Sequence, residues 1–438
     1  MAKTANFKNV GWKLSAWTEM IPESEIRRLL KYKVKYYFGG GKPGVIPVKI
    51  FAKILEDIRN YHEKLIAEGN ERALIDIYNY EKSSGWDPLK RVLINLLRND
   101  GVPLPLDDNE AMEKLVITTG SQQALYILAD ILIDPGDVVI TTEPAYLGFL
   151  GPLMRFGANI VTVPTDEHGI IPEYVEEAVE KSIEHFKKSP DFIYVISDSD
   201  NPKGTTLPID RRKKLYEIAE TYKIFIVEDG AYREIQFSEK LPPIKSFDKD
   251  NKWVIYVRTT SKEAAVFRIG YSVIPDSIRS EFIKSKGYID LASPVITQFM
   301  LKEYYERYFD KVIHETINEY RRRRDVMVNA IEKYFPDGLH TKPTGGFFVW
   351  WEADDVSFDS TAFLENIALK NEISYVPGAA FYPLPYFGWI YLPETREIVK
   401  IKDVRKNGMR LSFSYLNAED IEDGIKRLGM LLKDYLNK

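Results

Sequence analysis

Lys262 stands in the stretch Arg258-Thr-Thr-Ser-Lys-Glu-Ala-Ala-Val-Phe-Arg268-Ile-Gly-Tyr271, behind three hydroxyl residues and six positions ahead of an arginine. An amine in that setting can condense with an aldehyde while the hydroxyls and the guanidinium hold an anionic group. A lysine in such a loop is usually an ordinary solvated side chain, so its partners must decide. Four other short stretches carry chemistry. Gly120, Ser121 and Gln122 form a glycine-hydroxyl turn at a strand-to-helix junction, which is an anion site or a plain N-cap. Tyr146 follows another apolar run, as a core aromatic or as a ring stacked on a planar ligand. Asn201, in Asp198-Ser-Asp-Asn-Pro-Lys-Gly204, offers turn chemistry or an amide donor. Asp229 ends a fourth run with Tyr232 three residues on, as a helix cap or as a carboxylate able to reach a heterocyclic nitrogen.

The elements that must position these residues are legible from periodicity. Leu115–Ile117, Asp137–Ile140, Asn159–Val163, Phe192–Ile196, Ile224–Val227 and Trp253–Val257 read as buried strands. Between them, 122–132, the stretch from Tyr146, 172–186 and 208–223 read as helices. Continuous Val/Ile runs separated by helices predict a mainly parallel sheet covered on both faces, an α/β fold whose ligands gather at the carboxyl ends of the strands. Every candidate named above lies at such an end. Beyond residue 275 long helices take over, one around 310–334. A strand-and-helix segment then suggests a smaller α+β domain built partly from the N-terminal residues.

Bulk properties narrow the function classes. The chain has 438 residues with 45% apolar and 29% charged side chains, an ordinary globular composition that implies more than one domain. A net charge of −5 argues against a nucleic-acid surface. The run Arg321-Arg-Arg-Arg324 reads as a solvated helix face. With no cysteine and only five histidines, disulfides, thiolate catalysis and a metal centre are not expected. Neither a signal core nor an apolar run of membrane-spanning length stands out, so a cytoplasmic setting is expected and no membrane partner.

Taken together, an anion cradle, an aromatic plate, an amide, a carboxylate with a phenol, and a lysine fit pyridoxal phosphate. At these residues, and at Gly345-Gly-Phe-Phe-Val-Trp350, Val376-Pro-Gly378 and Arg410-Leu-Ser-Phe-Ser414, the chain resembles the fold type I aminotransferases of class I/II over nearly its whole length. The resemblance implies a large cofactor-binding domain at 81–310, with 1–80 as N-terminal arm and part of a small domain completed by 311–438. It implies that Lys262 is the Schiff-base lysine and proton carrier, that Asp229 pairs with the pyridine nitrogen, and that Asn201 and Tyr232 bond the phenolic oxygen. Ser121, Gln122, Thr259, Ser261 and Arg268 would bind the phosphate, Tyr146 would stack on the ring, and Arg410 would grip the substrate α-carboxylate. Tyr80 would reach the phosphate of the neighbouring subunit, making the protein a homodimer with shared sites. Gly40 and Gly41 would let the substrate approach. The segment around Arg27 is most similar to the 2-aminoadipate, kynurenine and aromatic aminotransferase branch, where an N-terminal arginine meets a side-chain carboxylate.

Three departures stand beside this resemblance, the smallest being Lys203 where threonine is usual, which matters little for a turn. The common form has one more residue between lysine and arginine, which weakens the phosphate role of Arg268. The aromatic-rich stretch 381–408 is longer than usual and is expected to form an extra hairpin near the substrate mouth. The expected activity is ping-pong transamination with amino acid and 2-oxo acid substrates, 2-oxoglutarate as acceptor. A β-eliminating or decarboxylating lyase would keep the same residues. A cofactor-sensing regulator would need a DNA-binding domain for which family elements already occupying the N-terminal residues leave no place.

Overall fold

The computed structural model describes residues 14–436 with the exception of Ala16. Nine strands of the central sheet matter for the site. In chain order they are β1 (Leu115–Thr118), β2 (Val138–Glu143), β3 (Asn159–Asp166), β4 (Phe192–Val195), β5 (Phe225–Asp229), β6 (Val254–Thr259), β7 (Gly270–Val273), β8 (Gly388–Leu392) and β9 (Glu397–Lys400). Their spatial order is β9-β8-β3-β2-β4-β5-β6-β7-β1. From β8 to β6 every neighbouring pair is parallel, while β7 runs antiparallel to both β6 and β1.

Both faces of this sheet are buried, which is why its strands read as unbroken apolar runs. Side chains alternate between faces. Val139 of β2 belongs to one core, with Leu125, Leu128, Phe149 and Leu153 from the helices Ser121–Leu132 and Leu147–Phe156. Its neighbours Val138 and Ile140 belong to the other, with Val175, Val179, Leu215 and Ile218 from the helices Pro172–Phe186 and Ile209–Tyr222. Each fully buried aliphatic side chain contributes about 1.5–3 kcal/mol, so two apolar faces hold the strand ends in register.

A second, four-stranded antiparallel sheet is formed by Gly338–His340, Phe348–Ala353, Gly408–Ser412 and Val376–Pro377, in that order. The helices Phe309–Tyr334 and Ala418–Leu436 pack on each other beside it. Tyr36–Tyr37 pairs in parallel with Ile373–Ser374, so an N-terminal segment is woven into this C-terminal part. No helix among the described residues is long and apolar enough to cross a membrane.

Two expectations need correction. The hairpin of the aromatic-rich stretch forms, as β8 and β9, but it extends the far edge of the central sheet, and none of its residues lines the cavity described below. Trp389 donates from Nε1 to Asn159 Oδ1 at 3.0 Å, and Tyr391 is bonded to Glu177, so the aromatics serve packing on β3 and its covering helix. The arginine run is a solvated face only in part: Arg321 and Arg322 are exposed, Arg324 is half-buried and Arg323 is buried. Arg321, Arg323 and Arg324 donate to the carbonyls of Phe237, Ser414 and Pro343, loop groups that have no strand or helix partner of their own among the described residues.

Candidate active site

A cavity of about 500 Å³ opens at the carboxyl ends of β1, β2, β4, β5 and β6. Fourteen of the fifteen sequence-predicted site residues line it, among them Lys262, Asp229, Tyr232, Ser121, Gln122, Tyr146, Asn201, Thr259, Ser261, Arg268, Arg410, Gly40 and Gly41. Arg27 lines it as well, while Tyr80 does not and is 84% exposed.

At one end is the cradle. Gly120 has φ +75°, a conformation glycine adopts without strain, and it precedes the first turn of the helix Ser121–Leu132. A Cβ on Gly120 would fall 2.9 Å from the Arg268 guanidinium, so that side chain lies directly over the turn. Arg268 Nη1 donates to Ser261 Oγ at 3.0 Å, and Thr259 Oγ1 donates to the same oxygen at 2.9 Å. The short lysine-to-arginine loop therefore still delivers Arg268, because residue 268 itself takes the left-handed conformation at φ +54° and turns the chain back. Helix N-terminus, hydroxyls and guanidinium together make an anion site.

In the middle, Asp229 ends β5 and is 1% exposed. Its Oδ2 accepts from Tyr194 at 3.0 Å, while Oδ1 is buried with no partner among the described residues. Burial pushes this carboxyl up to about 6 against the pull of Tyr194 and Lys262. A buried carboxylate oxygen left open is a place for an N–H donor of a ligand. Tyr194 was missed in the sequence, where it is one aromatic inside an apolar run. Asn201 Nδ2 donates to the Tyr232 hydroxyl at 3.4 Å. Tyr146, at the start of its helix, donates to Gln122 Oε1 at 3.4 Å.

Lys262 Nζ lies 3.4 Å from the carbonyl of Gly41 and 4.9 Å from the centre of the Tyr232 ring. Burial lowers its amine to about 8, with Arg410 and Arg268 pushing the same way and Asp229 opposing. The neutral, nucleophilic form is thus far more accessible than in an ordinary lysine, reaching half of the population near pH 8. In cofactor-free protein, reductive methylation of Lys262 is expected to be half-maximal near pH 8, well below an ordinary lysine at about 10.4. A profile matching that of the surface lysines would remove the case for a tuned amine.

At the other end, Arg410 from the strand Gly408–Ser412 is fully buried. It donates from Nη1 to Asn201 Oδ1 at 2.9 Å and from Nη2 to the Gly39 carbonyl at 3.0 Å. Its guanidinium lies 4.0 Å from the centre of the Phe348 ring. It has no carboxylate partner among the described residues, and burial lowers it to about 10. A buried planar cation without an anion is ready for a ligand carboxylate.

Comparison with known proteins gives the same picture. The family model for aminotransferase class I and II matches residues 76–395. An aromatic-amino-acid aminotransferase of Thermococcus litoralis is 33% identical over 425 residues, covering 95% of this chain and 93% of that protein. The crystal structure of the kynurenine aminotransferase of Pyrococcus horikoshii in complex with PMP superposes with a TM-score of 0.81 at 32% identity, over 97% of each chain. That of the α-aminoadipate aminotransferase of Thermus thermophilus, complexed with N-(5′-phosphopyridoxyl)-L-leucine, gives 0.78 at 26% identity over 97% of this chain and 100% of that one. Cradle, open Asp229 oxygen and tuned lysine fit pyridoxal phosphate. The chain belongs to the class I and II aminotransferases and is a pyridoxal-phosphate-dependent enzyme.

Proposed function

We propose that the enzyme moves an amino group between an aromatic or 2-aminoadipate-like amino acid and 2-oxoglutarate, as a homodimer that shares its active sites. The observation that carries this reading is the charge of the cavity. Among the described residues its lining has five cationic side chains, Arg27, Lys42, Lys262, Arg268 and Arg410, against one carboxylate, Asp229. The cofactor phosphate and the substrate α-carboxylate account for Arg268 and Arg410, and the remaining cations suit a second substrate carboxylate. Tyr37 and Phe348 give the same cavity apolar faces for an aromatic ring.

When bound, pyridoxal phosphate supplies an aldehyde for the amine and a ring that takes up electrons from the substrate Cα. Ser121, Gln122, Thr259, Ser261 and Arg268 anchor its phosphate. Asp229 keeps a proton on the ring nitrogen, and Tyr194 fixes the orientation of that carboxylate. Asn201 and Tyr232 hydrogen-bond the phenolic oxygen, and Tyr146 covers the ring face. Lys262, standing between Gly41 and Tyr232, takes the proton from Cα and returns it on the other side of the transfer. Arg410 holds the α-carboxylate, and Gly40 and Gly41 leave room beside it. An exposed Tyr80 beside exposed Tyr78 and Ile75 suits a residue that completes the neighbouring subunit's phosphate site.

Arg27 is the reader of an acidic side chain in this scheme. It makes no ion pair or side-chain hydrogen bond among the described residues, whereas the adjacent Arg28 is engaged by Glu25 and Glu365. With a panel of donors and 2-oxoglutarate, Arg27→Ala is expected to lower kcat/KM for 2-aminoadipate about tenfold relative to phenylalanine. An unchanged ratio, or ammonia released in place of a new amino acid, would overturn the reading.

A further inference from the structure

Lys42 has entered the scheme only as part of the cavity's charge, lining it beside Gly41. Its backbone is fixed from two sides. Ser414 Oγ donates to the Lys42 carbonyl at 2.7 Å, and the Tyr320 hydroxyl accepts from the amides of Gly44 and Val45, each at 3.1 Å. The preceding carbonyl, that of Gly41, is the one that Lys262 Nζ approaches, and the one before the pair, that of Gly39, binds Arg410. The loop thus carries Lys42 at a fixed distance from both the reacting amine and the α-carboxylate reader.

The side chain, in contrast, is lightly held. It forms no ion pair among the described residues, and its ammonium rests 4.2 Å from the centre of the Tyr415 ring and 6.0 Å from that of Tyr37. Tyr415 is 44% exposed, and a cation over such a ring gains only about 0.5–1 kcal/mol. A charge-assisted bond to a carboxylate is worth about 1.5–3 kcal/mol, so an anion in the cavity can draw the ammonium off the ring.

We propose that Lys42 is a specificity-determining residue that binds the distal carboxylate of dicarboxylic substrates, and that Tyr415 is its resting place when an aromatic substrate occupies the cavity. One cavity then serves both halves of the reaction: an acidic side chain recruits Lys42 together with Arg27, and a ring lies against Tyr37 and Phe348 while Lys42 stays on Tyr415. The inference rests on the reading that acidic substrates enter this cavity.

The test uses the holoenzyme and two unreactive probes, glutarate and 3-phenylpropionate, with binding measured by calorimetry. Lys42→Gln is expected to weaken glutarate about tenfold relative to 3-phenylpropionate, and Lys42→Arg to restore the ratio to within about threefold. In turnover, the KM for 2-oxoglutarate should rise more than kcat falls. Lys42→Glu, which reverses the charge, should lower glutarate binding further. A ratio unmoved in Lys42→Gln, or both probes weakened in step, would overturn the proposal. Arg27→Gln run alongside separates the two ideas. If it weakens glutarate and Lys42→Gln does not, only the Lys42 role fails. If glutarate does not bind the native holoenzyme at all, the acidic-substrate reading fails with it.

Discussion

Lys262→Ala is expected to lower transamination by more than about 10⁴-fold, because it removes both the amine that captures the cofactor and the base that moves the Cα proton. The loss should fall on kcat, since Arg410 and the anion cradle are untouched and substrate still binds. Fold and cofactor affinity can be followed separately by thermal denaturation with and without pyridoxal phosphate. The cradle of Ser121, Ser261 and Arg268 should still give a shift on adding it. Mixing this variant with a Tyr80→Ala chain should return part of the activity, because a mixed dimer holds one site with both Lys262 and a neighbouring Tyr80. A variant that kept normal turnover would end the assignment of Lys262. No recovery on mixing would place Tyr80 outside the partner's site.

Arg410→Met is expected to cost about 10²–10³-fold in kcat/KM, the equivalent of losing a two-pronged charged contact worth about 2–5 kcal/mol. Its effect on folding should be much smaller. In the free enzyme the guanidinium is fully buried without a counter-ion, a standing cost that methionine removes while still packing against Phe348 and Phe381. Against this, Asn201 Oδ1 and the Gly39 carbonyl lose their donor, at about 1–3 kcal/mol each. The terms oppose and are of similar size, so the melting temperature of cofactor-free protein should move by only a few degrees in either direction. Arg410→Lys keeps the charge but not the fork and should recover only part of the activity. A large fall in stability with a proportional fall in activity would instead mark Arg410 as structural.

Much of the fold was legible because buried parallel strands write themselves as apolar runs; β5 and the helix Pro172–Phe186 lie within a residue or two of where periodicity puts them. The site was legible for a related reason. Its residues follow directly after those runs, so locating the strands locates the chemistry. β7 was not foreseen, since Gly270-Tyr-Ser-Val273 is short and mixed, and its pairing with β6 and β1 depends on partners far away in the chain. The stretch 381–408 was expected near the substrate mouth because aromatics suit both ligand sites and cores; for Trp389 and Tyr391 only the position of Asn159 and Glu177 decides. Tyr194 was hidden because a strand buried on both faces gives no sign of which side chain meets a polar neighbour. Lys42, in a glycine-rich loop, became conspicuous only once its ammonium was seen to share the cavity with the other cations.

The hairpin β8–β9 has a consequence for how the chain becomes a folded protein. β3 pairs with β8 along its outer edge, from Ile160 to Thr162, but β8 lies far downstream. On a ribosome the central sheet therefore waits with an open, Val/Ile-rich margin until the last part of the chain emerges, the kind of edge on which nascent proteins stick to one another. Truncation before Gly388 would leave that margin bare, and such fragments should be recovered in inclusion bodies even though the residues around the cofactor are all but complete.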